Sequence, residues 1–555
     1  MKHVFLSQLL LGSASALTLP NGMRLTYGAE SGGSSGKSSG INWKGCGDLD
    51  FGKNINSIVT AQKPECAKLK VPLDYTSMSS GETIELQLIR HKATKKPFKG
   101  SVLYNPGGPG GSGVETIAAG GVEMRDILGG HYDLVSFDPR GTGKTLPFLC
   151  PSVDQNVTEG GSLASRAIEF NNLPEADTWK EVSTTTWKMA GQLADGCYKD
   201  YNKYGRFIGT AFIARDMISI VDALDQGPLI NYWGTSYGTV LGQTFASMFP
   251  DRINRMLLDG NLLATDYSAT TWISSPRDTE LTLLNVFNEC VKAGKKLCPL
   301  AEYKGKNTTG ENLMDAFDKA LEEQLGKESP AKGLAVNGDD AVAKIKSAVL
   351  LNLYHPNQMP AAIEKVTMAL NGSWVEALAP GKPQTESLWN KGGALAILGI
   401  SCGDSSFRAE SPDDMYSLYR AHLAQSSFGD SGAGGRLSCA RWRFEAAEKI
   451  NNDKLRNIKT NYPVLVLNGI YDPVTPVSDA WEVSARLRNS RVMVYESAGH
   501  GFTAHPSKCS NEVVRKYFQE GELPEVGTVC KPDMTAYEYN QSLVKKAQEG
   551  QKDDK

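Results

Sequence analysis

Past its first sixteen residues this chain has no run approaching the roughly 18 apolar residues that a membrane-spanning helix needs, so none is expected. Charge of one sign is also missing. There are 59 basic and 62 acidic side chains, a formal net charge of −3, and no Lys/Arg cluster runs beside exposed aromatics. A nucleic-acid surface is therefore not expected. Histidine is scarce, at seven residues, and the cysteines form no C-x2-C pair or His/Cys cluster. That pattern sets zinc aside, and neither metal nor cofactor is expected. A phosphate-binding loop is absent too. Gly141-Thr-Gly-Lys-Thr resembles the end of one, but the first glycine of G-x4-G-K-T would fall at position 138, which is Asp.

What is present points to export. Lys2, the apolar run Val4–Leu11 and the small residues Ala14-Ser-Ala16 read as a secretory signal peptide over 1–16, cleaved after Ala16. A short core helix is the alternative. The ten cysteines are even in number and lie in loop-like contexts. Five disulfides between sequential neighbours are expected, Cys290–Cys298 and Cys509–Cys530 foremost, in an extracellular protein. Sequons at Asn156, Asn307, Asn371 and Asn540 fit glycosylation of a secreted chain.

The most informative segment is Leu229-Ile-Asn-Tyr-Trp-Gly-Thr-Ser-Tyr-Gly-Thr-Val-Leu-Gly, which reads as strand, sharp turn and helix with Ser236 at the apex. Small residues at Gly234 and Gly238 allow such a strained turn to lift a serine hydroxyl clear of the backbone, as in the nucleophile elbow of an α/β-hydrolase. The bare G-x-S-x-G pattern carries little weight, because Gly32–Gly36 and Gly36–Gly40 fit it as well. Those two sit in a Gly/Ser run with no strand before and no helix after.

Around this elbow the chain has an α/β rhythm. Lys68–Tyr75 and Thr83–His91 read as an antiparallel edge. Short buried strands follow at Ser101–Tyr104, Tyr132–Phe137, Leu229–Trp233 and Arg255–Leu258, with helical spacing over Ala211–Leu224 and Thr239–Met248. Residues 265–455 look helical, and strands return at Pro463–Leu467 and Arg491–Tyr495. The economical reading is one α/β domain with a mainly parallel central sheet and an inserted helical cap. Its parts are a flexible lead-in (17–45), a first core segment (46–264), the cap (265–455), a second core segment (456–530) and a charged, mobile C-terminal tail (531–555).

An activated serine needs a base within reach and an acid to orient that base, and on this fold they follow in the order Ser, acid, His, each after a strand. Asp472 lies just past the Val464–Leu467 strand, and His500 lies in a Gly-flanked loop after Val492–Tyr495. Asp472 can also be read as a turn former before Pro473. Asp259 competes for the acid role, although it better suits fixing the start of the cap, and His505 is the reserve base. Oxyanion donors are expected from the Tyr237 N–H and from the loop Asn105–Gly113, with Gly108 the choice there. Asp138 and Arg140 are expected to fix the neighbouring loop.

Together, Asn105-Pro-Gly-Gly-Pro-Gly-Gly-Ser-Gly, Asp138-Pro-Arg-Gly-Thr-Gly, Gly234-Thr-Ser-Tyr-Gly and the Asp472/His500 pair resemble the tripeptidyl aminopeptidase and prolyl iminopeptidase group of α/β-hydrolases, from about Cys46 to Cys530. Asn105-Pro106 stands where the prolyl iminopeptidases have His-Gly, which favours the tripeptidyl branch. The resemblance implies a serine exopeptidase acting on peptides with free N-termini; a carboxylester hydrolase and an inactive binding protein are the alternatives. Recognition of a cationic amine calls for an acidic group or carbonyls in the cap. Asp404, held near Cys402, is the candidate, with a solvated turn as the alternative.

Overall fold

The computed structural model describes residues 40–153, 173–275, 277–332, 334, 336–379, 387–430 and 438–553. The signal-peptide segment, most of the lead-in and the Asn156 sequon lie outside them. Ten strands form one sheet: β1 (Lys44–Gly45), β2 (Glu65–Pro72), β3 (Thr83–His91), β4 (Ser101–Asn105), β5 (Asp133–Phe137), β6 (Ile230–Thr235), β7 (Ile253–Asp259), β8 (Leu465–Tyr471), β9 (Arg491–Ala498) and β10 (Val529–Cys530). Their order is β1-β2-β3-β5-β4-β6-β7-β8-β9-β10. β1, β2, β3 and β5 pair antiparallel, and every pairing from β5 through β4 to β10 is parallel. This is the α/β-hydrolase architecture read from the sequence.

The register explains the residue pattern. β4 and β5 are buried at every position, as strands covered on both faces must be. β2 leaves most of its residues partly or fully exposed, as an edge of the antiparallel part can. In the helix Thr210–Leu224, Ile213, Met217, Ile220 and Val221 share the buried face. Burial of such side chains is worth about 1.5–3 kcal/mol each, and it holds that helix beside the elbow helix Tyr237–Met248.

Between β7 and β8 the ordered elements are helical, among them Thr279–Ala293, Gly310–Glu322, Gly338–Leu351, Met359–Leu370 and Gly393–Asp404. The sheet then resumes next to where it stopped, with Leu257 opposite Leu465. The helices Thr279–Ala293, Gly310–Glu322, Gly338–Leu351 and Met359–Leu370 share a core of their own around Phe287, Phe317, Val349 and Ile363. Residues 531–555, read from sequence as a loose tail, instead carry the helix Ala536–Asp553. Its first turn inserts Ala536 and Tyr537 into that cap core, and the Ala536 N–H donates to Glu289. Charge along the rest of the helix hides that apolar first turn.

Five disulfides join sequential neighbours: Cys46–Cys66, Cys150–Cys197, Cys290–Cys298, Cys402–Cys439 and Cys509–Cys530. Among the described residues no helix is long and apolar enough to cross a membrane. Asn307 and Asn371 are exposed, and Asn540 is partly so.

Candidate active site

Four loops meet at the C-terminal edge of the parallel strands, following β4, β6, β8 and β9. Ser236 sits between β6 and its helix at φ 59°, ψ −126°, a conformation a non-glycine residue holds only when its surroundings impose it. Its N–H is anchored to the Asp259 carbonyl at 3.0 Å. A Cβ at Gly234 would lie 2.3 Å from the Gly238 carbonyl oxygen, so the turn cannot close with a larger residue there.

Asp472 follows β8 and is fully buried. Its Oδ1 accepts from the Val474 and Thr475 N–H groups at 3.1 and 3.0 Å. Its Oδ2 accepts from the Thr475 hydroxyl at 2.6 Å and faces His500 Nδ1 at 2.8 Å. With the proton on Nδ1 donated to Asp472, His500 Nε2 is an unprotonated base, and among the described residues nothing hydrogen-bonds it. Burial penalises the His500 imidazolium, yet the charge and hydrogen bond of Asp472 outweigh that penalty, and its pKa is raised. The histidine loop reaches the elbow: a Cβ at Gly501 would come within 3.2 Å of the Thr235 methyl. From above, the cap carbonyl of Tyr354 accepts the His500 N–H at 2.8 Å, and the Tyr354 ring meets the imidazole edge-on.

The loop after β4 lies against the serine from the other side. Gly107 has φ +95°, and a Cβ on it would stand 2.7 Å from Ser236 Cβ and 2.9 Å from the Tyr237 nitrogen. The Gly107 N–H is committed to Asn105 Oδ1 at 3.0 Å, whereas the next residue, Gly108, the donor expected from the sequence, is not held by that bond. Tyr237 begins the elbow helix, where an N–H has no carbonyl within the helix to meet. Two preorganised donors can therefore flank the serine.

Asp259 ends β7, but its side chain turns to the active-site loops and not to the cap. Its Oδ1 accepts the Phe502 N–H at 3.0 Å and its Oδ2 the Thr235 hydroxyl at 3.3 Å, so it ties the histidine loop to the elbow. Burial pushes its pKa up to about 7, with the nearby Asp472 charge adding to the rise. His505 is turned away, with Nε2 on the Met534 carbonyl at 2.7 Å. Asp138 and Arg140 do brace the neighbouring loop. Arg140 is fully buried and directs its donors to both Asp216 oxygens and to the carbonyls of Pro72, Leu73 and Phe207. Asp138 accepts from Ser112, the Val114 N–H and Trp389 Nε1.

Asp404 departs from expectation. It is buried, and its oxygens accept from the Thr210 N–H (2.9 Å), the Thr210 hydroxyl (2.5 Å) and the Tyr267 hydroxyl (2.9 Å). Burial raises its pKa to about 6 in spite of these bonds. A carboxylate enclosed and engaged in this way is part of the scaffold, and neither the amine ligand nor the solvated turn describes it.

Sequence reasoning missed Tyr354, His355 and Asn390. His355 is close enough to His500 for their charges to interact, and burial foremost keeps its pKa low. No sequence signal marks these residues, since each reaches the site only through the fold of the cap. Among the described residues no cluster of His, Cys, Asp and Glu could hold a metal ion.

Comparison with known proteins agrees with this geometry. Residues 100–289 match the α/β hydrolase fold family and residues 424–530 the family described as TAP-like protein. The chain is 25% identical over 509 residues to a tripeptidyl aminopeptidase of Streptomyces lividans, covering 90% of this chain and 88% of that one. It is 26% identical over 485 residues to the serine protease Hip1 of Mycobacterium tuberculosis, covering 84% and 87%. A carboxylesterase B of the same organism is 26% identical over 512 residues, covering 88% and 90%. This chain thus has the α/β-hydrolase fold, is similar to the tripeptidyl aminopeptidase group over most of its length, and is a serine hydrolase.

Proposed function

We propose that this protein is a secreted serine exopeptidase that releases short peptides, tripeptides foremost, from free N-termini. The observation that carries the reading is the buried Asp472–His500 pair, whose Nε2 takes part in no hydrogen bond and whose loop packs against the Ser236 elbow at Thr235. In this mechanism the Ser236 hydroxyl attacks the scissile carbonyl as its proton passes to His500 Nε2. The carbonyl oxygen becomes an oxyanion held by the N–H groups of Gly108 and Tyr237. Asp472 keeps the imidazole in the productive tautomer and stabilises the imidazolium. Collapse expels the leaving amine, which takes the proton from His500, and leaves an acyl-enzyme. Water then attacks the acyl-enzyme, giving its proton to His500, and the same oxyanion forms and collapses to free acid and serine.

Peptides are favoured as substrates because two of the relatives are named tripeptidyl aminopeptidase and serine protease. Export accords with the N-terminal segment, the five disulfides and the accessible sequons. The test is a free tripeptide anilide against its N-acetylated form. Blocking the amine should cut kcat/KM by at least ~10²-fold, the loss expected when a buried polar site goes unpaired. Equal cleavage of both would point to an endopeptidase or general amidase. The similarity to a carboxylesterase supports a second reading, carboxylester hydrolysis with the same residues. Preference for short acyl esters over free-amine peptides would establish it, and failure to react with a fluorophosphonate would leave only a binding protein.

A further inference from the structure

One cap helix, Gly393–Asp404, is tied at one end to the glycine loop that carries Gly108 and at the other, through Thr210, to the side chain of Tyr237, and the inference from it rests on the Gly108 and Tyr237 reading above. At its N-terminal end, Asn390 Nδ2 donates to the Gly110 carbonyl at 3.0 Å, and Asn390 Oδ1 accepts the Gly143 N–H at 3.0 Å. Gly110 is packed so closely there that an added Cβ would lie 2.8 Å from the Gly393 carbonyl oxygen and 2.9 Å from Ala396 Cβ. Trp389 adds a bond from Nε1 to Asp138 at 2.7 Å, and Asp138 in turn receives Ser112 and the Val114 N–H at the far end of the same glycine loop.

The other end of the helix reaches the elbow. Asp404 is its last residue, and the Thr210 hydroxyl lies 2.5 Å both from Asp404 Oδ2 and from the Tyr237 hydroxyl. Thr210 has one hydroxyl proton. The carboxylate can only accept it, so the Tyr237 hydroxyl must donate to Thr210 and the chain runs Tyr237 to Thr210 to Asp404. All three residues are buried. The Cys402–Cys439 disulfide pins the helix in its final turn. Twelve residues at 1.5 Å each make a rod about 18 Å long. One of its ends holds the Gly108 loop and the other holds Tyr237.

We propose that this helix is a strut that sets the spacing of the two oxyanion donors, with Asn390 and Asp404 as positioning residues. The value of such donors lies in their being fixed before charge develops, and loss of one costs about 10²–10³-fold. A displacement of about 0.5 Å already degrades a constellation of this kind.

The test compares wild type, Asn390→Ala, Asn390→Asp and Tyr237→Phe by the rate of fluorophosphonate labelling of Ser236, by kcat and KM on a chromogenic substrate, and by thermal midpoint. Labelling and kcat should fall together, about 10-fold or more for Asn390→Ala and somewhat less for Tyr237→Phe, with KM within about twofold. Asn390→Asp keeps the acceptor for Gly143 but loses the donor to Gly110, so it should resemble Asn390→Ala and should not rescue it. Thermal midpoints near wild type would show that folding is not the cause. If Asn390→Ala does not fold, the other two variants carry the same comparison. A labelled wild type with variants labelled within twofold of it overturns the strut and leaves the serine hydrolase reading intact. A rise in KM at unchanged kcat also overturns it, since the segment would then shape substrate binding. A wild type that the probe does not label overturns both readings.

Discussion

Replacing Asp472 with Asn tests the assignment of the acid most sharply, because the structure dictates which way the new amide must face. Oδ1 of Asp472 receives two backbone N–H groups, from Val474 and Thr475. An amide whose NH2 occupied that side would leave both donors unpaired, at about 1–3 kcal/mol each. The amide oxygen of the variant must stay there, and its NH2 then points at His500 Nδ1, where Oδ2 now lies at 2.8 Å. To receive that donor, His500 must carry its proton on Nε2, the atom that has to take the serine proton. The base is lost by tautomer while the fold is kept. We expect kcat/KM to fall by about 10³–10⁴-fold, or about 4–5.5 kcal/mol. Asp259→Asn is the matched control. Its oxygen can keep the Phe502 N–H and the Thr235 hydroxyl can turn to accept from the NH2, so both partners stay paired. We expect a loss of about 10-fold or less. The assay is kcat/KM on a free tripeptide anilide at pH 8, with circular dichroism to confirm folding. A larger loss for folded Asp259→Asn than for Asp472→Asn would refute the reasoning and move the acid to the end of β7.

Other outcomes follow from the same geometry. Ser236→Ala and His500→Ala should each lower turnover by at least ~10³-fold with thermal midpoints close to wild type, which calorimetry and single-turnover assays would check. Because His500 must be unprotonated to act and its pKa is raised, kcat/KM should climb through a limb centred above the ordinary histidine value of about 6.5. Asp259 has a folded pKa of about 7 against an ordinary value near 3.9, so the folded state holds the extra proton between them and stability falls as pH rises through that window. The drop in thermal midpoint from pH 5 to pH 8 should therefore be shallower in Asp259→Asn than in wild type. Thiol titration of the denatured, unreduced protein should find close to no free thiol, and reduction should expose ten, with a lower thermal midpoint for the reduced form.

The parts of this molecule legible in the sequence are those where local chemistry and long-range structure agree. Strand, glycine turn and helix around Ser236 announce themselves because the elbow needs its small residues within five positions. Asp472 and His500 are readable because each stands at a strand end in the required order. Asp404 misled because an Asp beside a cysteine says nothing about what will enclose it, and Thr210 and Tyr267 come from elements far away in the chain. Asp259 misled in the same way: its partner, Phe502, lies 243 residues on. Asn390 and Tyr354 left no trace at all. They contact the site through a side-chain amide and a backbone carbonyl, groups that any loop can present.

The pattern of disulfides bears on how such a chain is made. Each cysteine pairs with the next one along, and the widest loop closes over 47 residues. Ten cysteines allow hundreds of pairings, yet a chain exported as proposed, entering an oxidising space N-terminus first, meets them two at a time. At synthesis rates of about 5–20 residues per second, the second cysteine of that widest pair follows the first within roughly 2–10 seconds. Bond formation takes seconds or longer, so each bridge can close while few rivals are exposed. The order of the cysteines along the chain thereby narrows the choice of partners, and this biosynthesis should lean little on the shuffling of wrong bonds.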